Sequence, residues 1–400
     1  MTEKIYEERS FLRELTTTVT DSFSEDGKNF IMLKETIFFP EEGGQYADTG
    51  WIECGGKSVR VLNGELIGNA SESETDIRYE VDSPIESGSR VHCKLDWQNR
   101  LDRMENHSGE HILSGLIHNL FGYNNIGFHL SDDEPVTLVC DGKLTAEQIA
   151  LLEKKANEAI RDNLSITDSY PTREETEEIS YRSKIDIAGQ VRLITIGDEA
   201  DPLDVCACCA PHVEFTGMVG IIKILSSAPA KGGTQLSFLC GRRAFEYIDH
   251  SLGLLKGLAD SFSTNQENVP GLVDKLRDDN RVLREKLSSS FQKSILESVR
   301  SGEHEGPVIT DLELAPVDMK NIFNELIQVI EGYTGVFSGS DEKGYVYYAG
   351  GRNLDARKLG ELMKEKLSAK GGGSSDMIQG RTSETSAGIM EFWKTECQNL

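Results

Sequence analysis

"RMENHSGEHIL" (residues 103–113) places His107 and His111 four residues apart within a stretch of helical spacing. Positions i and i+4 share one face of a helix, so both imidazoles can reach a single ion. Taken alone, the pair fits two readings: a metal site, or two histidines on a wetted helix face. The surrounding stretch, "HCKLDWQNRLDRMENHSGEHILSGLIHNLFG", repeats apolar residues at helical intervals through Met104, Ile112, Leu116 and Leu120. It is expected to be a helix, with Gly109 as its weak point.

A second pair shifts the balance. "DVCACCAPHVEF" (204–215) repeats the four-residue gap with Cys208 and His212. Zinc prefers Cys and His ligands at such close spacing, brought together from two chain segments. The two pairs together predict a zinc site of His107, His111, Cys208 and His212, while Cys206 and Cys209 read as small buried residues. Eight cysteines in a 400-residue chain do not form a disulfide framework. A rival reading takes His107-Ser108-Gly109-Glu110-His111 as the H-x-x-E-H pattern of a zinc peptidase with Glu110 as general base. That reading leaves Cys208 and His212 without a role and needs a further carboxylate ligand. In a third reading zinc is structural and the chain is a non-catalytic RNA-binding or dimerisation protein.

The length implies two or three domains. The start, "MTEKIYEERSFLREL", is charged and lacks the apolar core of a signal peptide, and no apolar run approaches the ~20 residues that span a bilayer. A cytoplasmic location away from membranes is expected. The net charge of −25 excludes a general nucleic-acid coat. Residues 1–250 carry most of it, with 24 Lys and Arg against 44 Asp and Glu. Residues 251–300 and 351–400 each hold 8 against 7, so local patches there are the better candidates for meeting a polyanion.

The expected fold is α+β and multidomain. Residues 1–90 alternate short β-prone runs with turns and predict a small β-barrel-like module with a glycine turn at Gly43-Gly44. Residues 91–247 predict an α+β zinc-containing unit; its helix "LTAEQIALLEKKANEAIRDN" (144–163) starts on a Thr145/Gln148 capping box. Residues 251–300 predict a helical coiled-coil segment, because Val269, Val273, Leu276, Asn280, Leu283 and Leu287 form a heptad seam. "RSGEHEGP" (300–307) reads as a linker. Residues 305–400 predict an α/β module with paired strands "GVFSGS" and "GYVYYAGG" and helices near 317–332, 355–368 and 386–397.

Three blocks carry a family resemblance. "FFPEEGGQYADTG" (38–50) resembles the glycine-rich motif of the editing domains of alanyl-tRNA synthetase and its free-standing relatives. "RMENHSGEHILSG" (103–115) resembles their first zinc motif and "DVCACCAPHVEFTGMVGIIKI" (204–224) their second. "YVYYAGGRNLDARKLGELMKEKL" followed by "GGGSSDM" (345–377) is similar to the DHHA1 module that ends the longer family members. The chain thus resembles the free-standing alanyl-tRNA editing proteins of the long AlaX type, and no aminoacylation core is read beside these elements. Where the family often has Cys-x-Gly-Thr-His, this chain has Cys208-Cys209-Ala210-Pro211-His212.

The resemblance implies a Zn2+-dependent hydrolase that deacylates tRNA(Ala) mischarged with Ser or Gly at its 3′-terminal ester and spares Ala-tRNA(Ala). Thr36 is the expected partner of the seryl hydroxyl. Gln45 and Glu110 are further catalytic candidates, Glu110 as a base or as a support for a ligand. Gly43, Gly44 and Arg103 are expected at the substrate. A homodimer through residues 251–400 is a further expectation. Four protein ligands close a tetrahedral zinc, whereas a catalytic zinc keeps one position open; the spacing leaves both roles open.

Overall fold

The computed structural model describes residues 2–67, 76–183, 191–301 and 306–397. The chain divides into two compact units, Met1–Leu255 and Lys256–Leu400. Residues 302–305 of the linker read at 300–307 lie outside the described residues.

The first unit begins with a closed six-stranded barrel, as the alternating runs predict. Its strands are β1 (Glu14–Glu25), β2 (Lys28–Leu33), β3 (Gly50–Cys54), β4 (Lys57–Ile67), β5 (Asp76–Val81) and β6 (Arg90–Leu95), in the order β1-β2-β5-β4-β3-β6. In β5 and β6 every second residue is buried, as a period of two requires when one face lines a core. Val19, Ile31, Leu33, Ile52, Val61, Ile77, Tyr79 and Val91 fill that core.

The segment quoted at the outset lies in helix α1 (Trp97–Phe121), capped by Asp96 at its start and by Gly122 in the left-handed region at its end. From Asp102 to Gly115 the helix is buried on all sides, and many of the covered residues are polar. Buried polar groups need partners, so this helix is not held by an apolar stripe alone. Met104 and Ile112 are fully buried as the periodicity predicts, but Leu120 is 42% exposed because the last turn projects past the packed region.

Two sheets and the barrel surround α1. One sheet contains β7 (Asn125–His129), β8 (Val136–Cys140), β12 (Ile222–Ala230) and β13 (Gly233–Cys240), in the order β12-β13-β8-β7. The other runs β9 (Ile166–Ser169), β10 (Leu193–Asp198), β11 (Asp201–Ala207). Gly109, the weak point of the sequence, is where α1 meets the first sheet: a Cβ there would lie 2.2 Å from Cys240 Sγ. Helix α2 (Ala146–Asp162) has the full Thr145/Gln148 capping box, and helix α3 (Gly241–Ser261) follows β13.

The second unit holds helix α4 (Val269–Arg300) and a five-stranded sheet of β14 (Val308–Thr310), β15 (Tyr333–Ser340), β16 (Gly344–Gly351), β17 (Lys370–Gly373) and β18 (Ile378–Thr382). Its order is β14-β15-β16-β18-β17, accompanied by α5 (Pro316–Val329), α6 (Ala356–Lys366) and α7 (Ser386–Thr395). The "GGG" run makes the edge strand, where a Cβ at Gly371 would sit 2.2 Å from Gln379 O. Phe337, Tyr347, Leu359, Met363, Ile389 and Trp393 form the core around this sheet.

Candidate metal centre

Three arginine and histidine side chains on one face of α1 grip the glycine-rich segment. Arg100 bonds Asp48 and donates to Ile37 O at 2.6 Å and Ser10 O at 3.0 Å. Arg103 donates to Ala47 O at 2.6 Å and pairs with Asp132, so its guanidinium is committed to holding this segment and the loop after β7. One turn on, His107 Nδ1 lies 2.8 Å from Gln45 Oε1. The segment itself turns on Gly43 and Gly44, both at positive φ (63° and 87°), with reciprocal backbone bonds between Glu42 and Gln45. Two consecutive left-handed residues are the requirement of a tight hairpin, which is why glycine occupies both. A Cβ on Gly44 would also strike Phe128 O at 2.9 Å.

His107, His111, Cys208 and His212 converge, with their ligand atoms all within 4.8 Å of one another. Cys208 Sγ lies 3.6 Å from His107 Nε2 and 3.4 Å from His212 Nε2. A tetrahedral zinc with bonds of about 2.0–2.3 Å separates its ligand atoms by roughly 3.3–3.7 Å, so the donor set fits that ion. Each ring is held from behind through Nδ1: His107 by Gln45, His111 by Asp204 at 3.2 Å and His212 by Ser108 at 3.0 Å. Ser108 Oγ also accepts from Val213 N–H, fixing where that hydroxyl points. Holding Nδ1 as the proton-bearing nitrogen leaves Nε2 free to ligate, the usual arrangement around a metal-bound imidazole.

The electrostatics separate the adjacent thiols. Burial alone would raise the Cys208 thiol, but His107 and His212 bring it well below its ordinary value. Burial and the neighbouring Cys208 push Cys209 the other way. A thiolate is the metal-binding form, so Cys208 is the suited ligand and Cys209 is not. Burial drives His212 down to about 3, which keeps its ring neutral. A second group, His111, Asp204 and Cys206, shares His111. Its carboxylate is already engaged by the Arg182 guanidinium, so Asp204 acts as the partner of His111 rather than as a ligand of its own ion.

The remaining expected site residues lie as follows. Glu110 is buried, with Ser114 and Asn125 donating to its Oε1, and its Oε2 is 3.9 Å from His111 Nε2. Thr36 is fully buried, its oxygen accepting from Phe38 N–H at 3.1 Å and its hydroxyl 2.8 Å from Tyr79 Oη. Ser108, Asp204 and Arg182 were not expected. Only the proximity of Asp204 to the Cys208 motif in sequence hinted at one of them.

Two family models match the chain. One described as the second additional domain of threonyl and alanyl tRNA synthetases covers residues 191–235, which include Cys208 and His212. One described as class II (A) tRNA synthetases covers residues 6–99, the barrel region. Alanyl-tRNA editing protein Aarsd1 of Danio rerio is 30% identical over 364 residues, 88% of this chain and 84% of the relative. The chain belongs to the alanyl-tRNA editing protein family. The similarity extends across kingdoms. Aarsd1 of Mus musculus is 28% identical over 94% of this chain and 93% of the relative. Alanyl-tRNA editing protein AlaX-L of Pyrococcus horikoshii is 27% identical over 95% of each chain. In this family context the His/Cys group belongs to an editing protein; the peptidase reading needs a further carboxylate ligand, and the carboxylate facing His111, Asp204, is engaged by Arg182.

Proposed function

We propose that this chain is a trans-editing hydrolase acting on tRNA(Ala) mischarged with serine or glycine, cleaving the ester on the terminal adenosine. The observation that carries it is the convergence of His107, His111, Cys208 and His212 beside the Gly43-Gly44-Gln45 turn, in a chain of the editing family. A synthetase pocket for alanine discriminates poorly against one added hydroxyl or one missing methyl, worth only about 1–3 kcal/mol, so a separate hydrolytic site has a purpose. The four residues would hold Zn2+, which supplies Lewis-acid polarisation of an ester carbonyl or a water. Among the described residues no helix is long and apolar enough to cross a membrane. The cytoplasm, where tRNA is charged, is the proposed location.

Gln45 has the sharpest role. Its Oε1 faces His107 Nδ1, and its Nε2 is buried with no partner among the described residues. If His107 ligates through Nε2, its Nδ1 carries the proton and the glutamine must present oxygen to it. The amide N–H groups are then left over beside the metal group. A preorganised donor at that place suits the ester carbonyl as it gains negative charge. Replacing Gln45 by Glu keeps an acceptor for His107 but removes the donor; deacylation of Ser-tRNA(Ala) is expected to fall about 100-fold with zinc content unchanged. Retained activity in that variant refutes the assignment.

Tyr79 Oη donates to Phe38 O at 2.7 Å, so the Thr36 proton goes to Tyr79 while the Thr36 oxygen accepts from Phe38 N–H. What remains on Thr36 is one acceptor lone pair, complementary to the O–H of a seryl group. Thr36 is fully covered, so reaching it requires the side chains over it to move. Gly43 and Gly44 offer close backbone approach, and we assign Arg103 to holding the loop that bears them. Glu110 is assigned to support of the ligand helix. The reading as a whole is tested by incubating Ser-, Gly- and Ala-tRNA(Ala) with the protein: loss of the first two esters with survival of the third is expected, and equal survival of all three refutes it.

We also infer a homodimer through residues 251–400, with the DHHA1-like second unit contributing to tRNA grip. The heptad seam on α4 supports it: Val273, Leu276, Leu283 and Leu287 are 38–64% exposed in the single chain. Lone apolar seams of this kind are buried by pairing. Leu276→Lys with Leu283→Lys should convert a dimer to a monomer in sedimentation. A monomeric wild-type chain at micromolar concentration refutes this part.

A further inference from the structure

The excursion between β9 and β10 sends one long side chain into the interior. Arg182 donates its backbone N–H to Val205 O at 2.8 Å, and Ala207 N–H donates to Arg182 O at 2.9 Å. A single residue is thereby clipped to the edge of β11 in a parallel bridge opposite Cys206. Its guanidinium then lies on Asp204 as a fork, Nε to Oδ1 and Nη2 to Oδ2, each at 2.7 Å. Asp204 Oδ2 is also the atom facing His111 Nδ1. The helix Arg173–Glu178 in the same excursion buries none of its residues. Arg182, by contrast, gives two backbone bonds and a buried two-point ion pair.

We propose that Arg182 is a positioning residue for the metal site, acting through Asp204. This rests on the zinc reading above. The side chain of Asp204 is 2% exposed. Without the two-point fork the carboxylate loses the partner that fixes its plane, and it turns away. His111 then loses the acceptor that fixes its ring orientation. The fork also occupies both carboxylate oxygens from one side, which leaves Oδ2 a single direction toward His111. Metal affinity therefore depends on whether Tyr181–Ser183 is docked on β11, and metal binding must favour docking in return, since coupling between sites is reciprocal.

The test is zinc affinity of the full chain, measured by competition with a chromophoric chelator. Asp204→Asn and Arg182→Met are each expected to weaken zinc by 10–100-fold, the range for outer partners of ligating histidines. The double variant should be no weaker than Asp204→Asn alone, because Arg182 works through that carboxylate. Arg182→Lys keeps the charge without the fork and should fall between wild type and Arg182→Met. In cobalt-loaded protein the ligand-field spectrum of Arg182→Met should shift as His111 reorients. Should Arg182→Met fail to fold, Arg182→Lys and amide exchange on the wild-type chain decide: zinc should slow exchange of the Arg182 N–H at least tenfold. Wild-type affinity in Arg182→Met, multiplying losses in the double variant, or unaltered exchange of Arg182 each overturns the proposal. A wild-type chain that binds no zinc overturns the metal reading instead, and this inference with it.

Discussion

Replacing Cys208 by alanine is expected to empty the site of zinc and to reduce deacylation of Ser-tRNA(Ala) by more than 100-fold. Changes in outer partners of ligating residues cost 10–100-fold, and loss of a ligand costs more. Cys208 is the only thiol in the four-residue group and the one whose surroundings favour the thiolate. Its neighbour Cys209 is the internal control. That thiol is pushed upward by burial and by Cys208, and it is not part of the group, so Cys209→Ser should keep both metal and activity. Metal content by atomic spectroscopy and initial rates on the same preparations check both variants. Stripping wild-type protein with a chelator should reproduce the Cys208→Ala rate, and added zinc should restore the wild type alone. A Cys208→Ala protein that retains stoichiometric zinc sinks the ligand assignment.

The convergence of His107, His111, Cys208 and His212 was legible because their chemistry is rare and their spacing simple. Two imidazoles one helical turn apart, and a thiol and an imidazole at the same gap, narrow the choices without any knowledge of the fold. Gly43-Gly44 was legible as a turn for a similar reason, since two left-handed residues in succession demand glycine. The Thr145/Gln148 cap is a purely local device and formed as written. The outer partners were not legible. Asp204 meets His111 from 93 residues away and Ser108 meets His212 from 104, and Asp, Ser and Arg are common surface residues whose role only the fold decides. Arg103 is the instructive case. It is expected at the substrate from the resemblance, and only the fold shows that its donors also reach Ala47 O and Asp132. Helix α1 explains these differences together. Hydrophobic periodicity locates a helix by its apolar stripe, but this one is also buried on its polar faces, and periodicity cannot report what those faces meet.

Arg100→Met is expected to destabilise the first unit by about 3 kcal/mol, the lower end of the cost of breaking a buried ion pair, because Arg103 Nη1 still faces Asp48 at 3.7 Å. Arg100 and Asp48 are both essentially unexposed, and Arg100 is among the largest fully buried side chains of the described residues. Its guanidinium joins three places far apart in sequence: Asp48 after the glycine turn, Ile37 O in the "IFFP" segment and Ser10 O near the start. Asp48 in turn accepts from Phe39 N–H at 2.7 Å, so the pair ties both ends of the glycine-rich segment to α1. Removing the cation leaves the Asp48 carboxylate and two carbonyls buried without this donor, which is the costly half of the exchange. Asp48→Asn should be milder, because an amide can still face the Phe39 N–H and the guanidinium through its oxygen. The two changes share one interaction, so the double variant should lose clearly less than the sum of the single losses. Urea denaturation followed by tryptophan fluorescence measures all three. Additive losses would mean that Arg100 stabilises the unit through its carbonyl contacts alone. Gln45 reaches His107 from the same segment, so Arg100→Met should also weaken zinc, linking the stability of the barrel loop to the site it completes.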